Sequence, residues 1–331
     1  MSTTNEYISR ALANLNITQL NPMQEATLSA SYHQRDIVLL SATGSGKTLS
    51  FLLPLLHLLT LDSSRPQALI LAPSRELALQ IEDVFKAMKS PWKCCCCYGG
   101  HPIALERRSI EGNNPEVIIG TPGRITDHLR KGYIDPRGIR TLVIDEFDKS
   151  LEFGFHDDMA QIIDELRGLT KKILLSATDS EQIPEFTGVS QIERLDFLPH
   201  TDEQESRLTL RRVISSTRDK STTLGDLLCL FGDSSTIVFC NHRDAVDRIT
   251  DRLLIEGFSV IGFHGAMEQP ERERALFRFK TRGCNILIST DLAARGLDIS
   301  QVEQVIHYQL PSTEDSYIHR NGRTARWDAR G

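Results

Sequence analysis

Residues 41 to 48 read Ser-Ala-Thr-Gly-Ser-Gly-Lys-Thr and follow directly on an apolar run, Ile37–Leu40. A strand that enters a small, glycine-rich turn ending in Lys-Thr builds a cradle for nucleotide phosphates. Its backbone N–H groups converge on the anion, and the next helix offers its positive N-terminus. In such a cradle Thr43, Gly44, Ser45 and Gly46 surround the phosphates, Lys47 reaches the β- and γ-phosphates, and Thr48 offers its hydroxyl to Mg²⁺. Further on, Asp145-Glu146-Phe147-Asp148 follows the run Thr-Leu-Val-Ile. There Asp145 suits Mg²⁺, partly through water, and Glu146 suits the task of orienting or deprotonating an attacking water. Either motif alone would also suit an ordinary polar loop. Both together, each at the end of an apolar strand, point to nucleotide hydrolysis.

These residues need strands to deliver them to one edge. Short apolar runs alternate with longer helical patterns along the whole chain, which predicts α/β architecture with parallel sheets flanked by helices. The predicted strands of the first half are Ile37–Leu40, Ala68–Ala72, Lys93–Tyr98, Val117–Gly120, Thr141–Ile144 and Lys171–Leu175. Those of the second half are Leu208–Ile214, Ser235–Phe239, Ser259–Phe263, Asn285–Ile288 and Gln304–Tyr308. In open parallel sheets the carboxyl ends of the strands form the ligand edge, where both motifs fall. The stretch from Glu193 to Ser206 has no hydrophobic repeat and reads as a passage between domains. With 331 residues the chain exceeds one comfortable core, and the predicted domains are 1–200 and 201–331.

The formal charge is −6, from 44 acidic and 38 basic side chains. That balance excludes a protein that coats nucleic acid by bulk positive charge. A local groove built from backbone groups and helix ends remains compatible with it. The longest apolar run, Leu49–Leu61, is too short to cross a bilayer and reads as the buried helix after the phosphate loop. Seven cysteines comprise the run Cys94–Cys97 and the single Cys229, Cys240 and Cys284. Neighbours on a strand point to opposite faces, so the run cannot converge on one tetrahedral ion. It reads as a buried strand of small residues. Thiols in this number, with no N-terminal export signal, suit a reducing cytosol.

Taken in chain order, the motifs resemble those of DEAD-box ATP-dependent RNA helicases, within superfamily 2. The likeness runs through the phosphate loop, Pro-Ser-Arg-Glu-Leu-Ala at 73–78, Gly99-Gly100, Thr-Pro-Gly-Arg at 121–124, Asp-Glu-Phe-Asp at 145–148 and Ser-Ala-Thr at 176–178. It continues with Ile-Val-Phe-Cys-Asn at 237–241, His264-Gly265 with Gln269 and Arg272, Ser-Thr-Asp-Leu-Ala-Ala-Arg-Gly-Leu-Asp at 289–298, and His-Arg-Asn-Gly-Arg-Thr-Ala-Arg at 319–326. The resemblance implies two RecA-like domains in tandem, of P-loop NTPase type, using ATP and Mg²⁺. It implies that Gln24 reads adenine, that Gly296 and Asp298 meet the nucleotide, and that Arg323 and Arg326 serve as arginine fingers. By the same resemblance Asp148, Ser176, Thr178, His319 and Arg320 couple nucleotide state to RNA. Arg75, Gly99, Gly100, Thr121, Gly123, Arg124, Asn241, Gln269, Arg272 and Thr290 are then expected to contact the RNA backbone. The implied activity is RNA-dependent ATP hydrolysis coupled by domain closure to local duplex unwinding or RNA–protein remodelling. A cytoplasmic monomer acting on single-stranded or short duplex RNA, with low sequence specificity, is the matching expectation.

Two other readings keep the motifs: an ATP-regulated RNA clamp or scaffold without unwinding, and a superfamily 2 DNA helicase. Intact Lys47, Glu146 and Arg326 favour an enzyme over a degenerate clamp. The chain also departs from the family pattern. Phe147 replaces the usual alanine, which predicts altered packing rather than lost chemistry. Ser41-Ala42 and Ser74 are lesser changes. Tyr7 is the one aromatic upstream of Gln24 and is the candidate to stack on the base. The family pattern carries another strand and helix after the arginine motif, so the second domain is expected to be incomplete.

Overall fold

The computed structural model describes residues 3–42, 44–61, 65–179, 183–198, 208–216, 218–291 and 302–324. The chain divides into two compact units, the first of which ends at Leu198. In that unit the strands are β1 (Ile37–Ser41), β2 (Ala68–Leu71), β3 (Cys94–Cys97), β4 (Val117–Gly120), β5 (Thr141–Ile144), β6 (Lys171–Ser176) and β7 (Glu193–Phe197). They form one parallel sheet in the order β3-β4-β2-β5-β6-β1-β7. The inner strands β1, β2, β4 and β5 are buried at every residue and β6 at all but Lys172, as expected when helices cover both faces of a parallel sheet.

Alternation along each strand divides the apolar residues between two cores. Ile37, Leu39, Ala68, Ile70, Val143 and Ile173 pack beneath α1 (Thr3–Asn14), α2 (Pro22–Ala30), α3 (Lys47–Leu58) and α4 (Arg75–Ala87). Val38, Leu40, Leu69, Leu71, Leu142 and Leu174 pack on the opposite face. There they meet α5 (Ile103–Asn113), α6 (Pro122–Arg130), α7 (Phe147–Glu152) and α8 (His156–Glu165). The cysteine run behaves as a strand should: Cys95 and Cys97 join the second core, while Cys94 and Cys96 touch the first. Phe147 turns its ring into the second core, so the unusual residue of the acidic motif becomes packing.

Two expectations are corrected. The stretch after Glu193 begins as a strand, not a linker: β7 pairs in parallel with β1, from Ile37↔Glu193 to Ser41↔Phe197. Its charged residues hid it. Arg194 and Asp196 face solvent at the sheet edge, where charge discourages further pairing, while Leu195 and Phe197 turn inward. Conversely, Leu208–Ile214 forms no strand, and Leu210, Val213 and Ile214 are exposed. Arg211-Arg212 breaks the period-two pattern there, and no described strand pairs with the segment.

The second unit holds β8 (Thr236–Cys240), β9 (Val260–Phe263), β10 (Ile286–Thr290) and β11 (Gln304–His307), all parallel, in the order β11-β8-β10-β9. Helices Ser221–Phe231, Arg243–Ile255, Gln269–Lys280 and Glu314–Asn321 accompany them. Among the described residues no helix is long and apolar enough to cross a membrane.

Candidate nucleotide and nucleic-acid sites

The phosphate loop leaves the buried strand β1 and re-enters regular structure at Lys47, the first residue of α3. Gly44 and Gly46 have φ of +79° and +88°, a region that residues with a Cβ rarely enter. Gly46 has a further reason to be glycine. A Cβ there would lie 2.8 Å from Gln24 Nε2. Gln24 caps α2 reciprocally with Asn21 (2.9 and 3.0 Å) and its Nε2 donates to the Gly46 carbonyl at 3.3 Å. The residue expected to read the base thus also ties the loop to α2.

Lys47 is buried and its Nζ donates to the Ser41 carbonyl at 2.9 Å, folding the side chain back under its own loop. Asp145, at the end of β5, is also buried. Burial pushes its carboxyl above the ordinary aspartate range, while the Lys47 charge and the Glu146 N–H pull it back. That N–H donates to Asp145 Oδ1 at 2.9 Å. Glu146 itself stands in the left-handed region, φ +47°, a conformation that costs a residue with a Cβ roughly 1–2 kcal/mol. Next to it Asp148 Oδ2 accepts the Thr178 hydroxyl at 2.9 Å. Ser176 Oγ in turn donates to the Thr178 carbonyl at 2.6 Å and accepts its N–H at 3.2 Å. The expected coupling residues of the first unit therefore form one connected group between the ends of β5 and β6.

Tyr7 is placed elsewhere. Its ring meets Trp92 edge-on at 5.1 Å, and the Trp92 indole donates to the Thr60 carbonyl just past the end of α3. The phosphate loop lies at the other end of that helix, about 18 Å away at 1.5 Å per residue. Tyr7 is core packing here, and the expectation that it stacks on a base is set aside.

The expected RNA residues of the first unit leave the ends of β2, β3 and β4. Ser74 caps α4 by accepting the Leu77 N–H at 3.2 Å, so Arg75 opens that helix. Its guanidinium rests on Gly99 and Gly100, and a Cβ on Gly100 (φ +107°) would lie 2.5 Å from Arg75 Nη1. Gly100→Ala is therefore expected to cost about 1 kcal/mol in stability and to dislodge Arg75, weakening single-stranded RNA binding about tenfold. Melting curves and fluorescence anisotropy check the two effects separately. Thr121 precedes Pro122, the first residue of α6, with Gly123 and Arg124 following in its first turn. Arg124 Nε donates to Glu106 at 2.7 Å, and Nη2 donates to the His101 carbonyl at 2.8 Å. Glu106 was not among the expected site residues. The available signal was an acidic side chain one turn before Ile110, on the buried stripe of α5.

In the second unit Asn241 follows β8. Its N–H donates to Gln309 Oε1 at 2.7 Å, and its Nδ2 donates to the Leu310 carbonyl at 2.9 Å. Its Oδ1 accepts from Arg320 Nη2 at 2.8 Å. Arg320 is fully buried over the Phe239 ring; it also pairs with both oxygens of Asp291 and donates to the Gln309 carbonyl. Expected to couple nucleotide state to RNA, Arg320 is here an internal brace that orients Asn241. Gln269 begins the helix Gln269–Lys280, Arg272 lies 5.2 Å from the Phe263 ring centre, and Thr290 closes β10. His319 and Arg323 are buried at the end of the helix Glu314–Asn321. Thr43, Gly296, Asp298 and Arg326 lie outside the described residues.

A family model described as DEAD/DEAH box helicase matches residues 21–186, the stretch that holds every first-unit motif above. This chain belongs to the DEAD/DEAH box helicase family. A second model, the helicase conserved C-terminal domain, matches residues 219–328. Among curated helicases, the chain is 35% identical to DEAD-box ATP-dependent RNA helicase 53 of Oryza sativa subsp. japonica, covering 98% of this chain and 55% of the rice protein. It spans about half the length of that relative. Among solved structures, S. cerevisiae Dbp5 bound to RNA and ADP BeF3 superposes with a TM-score of 0.82 at 27% identity, covering 98% of this chain and 85% of that one. The DEAD-box helicase Mss116 bound to ssRNA and UDP-BeF gives 0.86 at 28% identity, covering 97% and 70%. The two parallel-sheet units of this chain are thus RecA-like.

Proposed function

We propose that this chain hydrolyses ATP in an RNA-dependent way and uses the cycle to unwind short duplexes locally or to remodel RNA–protein complexes. The observation that carries the reading is the buried Asp145 carboxylate within electrostatic reach of the phosphate-loop Lys47, with Glu146 beside it in the left-handed region. In this reading the Lys47 ammonium leaves the Ser41 carbonyl for the β- and γ-phosphates. Glu146 orients the attacking water and receives its proton. Thr48 and Asp145 fit Mg²⁺, because both offer only oxygen and Asp145 is a buried carboxylate whose charge burial disfavours until a cation neutralises it. When bound, the ion would neutralise charge building on the phosphates.

RNA contact along Arg75, Gly99, Gly100, Thr121, Gly123 and Arg124, and along Asn241, Gln269, Arg272 and Thr290, would be to the backbone, which carries no base sequence. Arg323 and Arg326 would complete the hydrolytic site on closure of the two domains, supplying planar donors that never lose their charge. Gln24 is proposed to favour adenine. Since the Mss116 structure holds a uridine nucleotide, the fold alone does not enforce that choice. A monomer in the cytoplasm is the accompanying proposal; the seven cysteines, all free thiols, support the reducing compartment alone.

The test is ATP turnover by this chain with single-stranded RNA, with single-stranded DNA and with neither, alongside displacement of a short RNA duplex. Stimulation by RNA alone, with displacement, is expected. Equal stimulation by DNA would sink the RNA assignment, and turnover without displacement would leave an RNA clamp.

A further inference from the structure

Glu106 lies at the centre of the RNA edge of the first unit, although its own helix offers no motif. Both of its carboxylate oxygens are buried and both are filled. Oε1 accepts the Tyr98 N–H at 2.8 Å and meets His101 Nε2 at 2.8 Å. Oε2 accepts Arg124 Nε at 2.7 Å and meets His128 Nε2 at 2.6 Å. The four partners come from three places: the turn after β3, the first turn of α6, and the end of α6. His128 is fully buried and its Nδ1 has no hydrogen-bond partner. An N–H at Nδ1 would be left buried and unpaired, so the ring is the tautomer that donates from Nε2.

Cys97, Glu106 and His128 also have the donor types of a metal site, their ligand atoms all lying within 4.8 Å of one another. The carboxylate, however, already accepts four donors, one of which carries a full positive charge. The cluster is satisfied without an ion.

We propose that Glu106 is a positioning residue for RNA binding, locking Arg124 and the Gly99-Gly100 turn into one rigid unit. The inference rests on the RNA role proposed for those residues. Arg124 uses Nε on Glu106 and Nη2 on the His101 carbonyl, which fixes the guanidinium plane. A guanidinium has five N–H groups, so three are left unused by these two bonds. The Tyr98 N–H is held by the other oxygen, immediately before Gly99 and Gly100, the glycines on which Arg75 rests. One carboxylate thus sets the spacing between two strand-end loops that must grip the same backbone. Desolvation works against the charge, but the donors from His128, Arg124 and Tyr98 outweigh it and hold the carboxyl below the ordinary glutamate range.

Glu106→Gln isolates this role. The amide keeps one oxygen for Tyr98 and His101 but turns an NH2 toward Arg124 and His128. His128 can switch tautomer and accept; Arg124, a donor only, cannot adapt and loses its anchor. The expected result is a roughly tenfold rise in the RNA concentration for half-maximal ATPase, with kcat at saturating RNA and ATP affinity nearly unchanged, and a lower melting temperature from the broken buried ion pair. Arg124→Ala should weaken RNA at least as much, and the double variant should be no worse than Arg124→Ala alone. If Arg124→Ala weakens RNA while Glu106→Gln stays within twofold of wild type, or if the two losses multiply, the positioning role is wrong. A loss of kcat or ATP affinity in Glu106→Gln, with RNA half-saturation unchanged, overturns it equally. If Arg124→Ala itself leaves RNA binding intact, the RNA assignment of this edge fails and takes the inference with it.

Discussion

Replacing Glu146 with glutamine is expected to lower kcat for ATP by about 10²- to 10⁴-fold, the usual worth of a positioned general base, while ATP still binds. The substitution is nearly isosteric. The left-handed backbone at this residue costs the same for either side chain, and the bond that matters to Asp145 comes from the Glu146 main-chain N–H, which survives. What disappears is the capacity to take a proton from water. Nucleotide titration beside single-turnover hydrolysis separates the two effects. Turnover within threefold of wild type would remove Glu146 from the mechanism, and lost ATP binding would reassign it to structure.

Lys47→Ala is expected to weaken nucleotide binding by at least about 100-fold, or about 2.7 kcal/mol, through two linked losses. The first is the charge-assisted contact with the phosphates. The second lies in the empty protein. Asp145 is already pushed upward by burial, and Lys47 is the charge that opposes the push. Without the ammonium the carboxyl rises further and tends to keep its proton, so Asp145 offers a weaker ligand to a cation. A raised carboxyl favours the folded state most when protonated. Its contribution is whole below the ordinary aspartate range and is lost as the pH climbs through the raised value. The melting temperature of Lys47→Ala should therefore fall more steeply than that of wild type as the pH rises from about 4 to 7. Parallel pH dependence in the two proteins would show that Lys47 does not control Asp145.

The phosphate loop, the acidic motif and nearly all the strands that carry them were legible in the sequence, because each is a short apolar run followed at once by a polar turn. Val117–Gly120 and Thr141–Ile144 are buried on both faces, and a continuous apolar run can then mean little else. β7 was illegible for the opposite reason. It is an edge strand with one exposed face, and Glu193, Arg194 and Asp196 make its five residues resemble a linker. Leu208–Ile214 erred the other way: enough apolar residues, but no described strand to pair with. Glu106 could not be found from spacing at all, since its four partners are gathered by the crossing of β3, β4 and α6 rather than by proximity in the chain. Arg320 shows the same limit. Its motif marks it as important, but only the fold shows its charge spent inside the second unit.

The pairing of β7 with β1 also has a mechanical meaning. β7 is the last regular element of the first domain, and Phe197 at its end lies in register with Ser41, where the phosphate loop begins. A pull on the chain beyond Leu198 acts first on that strand. Because the two strands run parallel, tension along β7 loads their hydrogen bonds together in shear rather than opening them one by one. The exit from the first domain is thus anchored one strand from the nucleotide loop, and β1, which feeds that loop, is the next strand to bear the load.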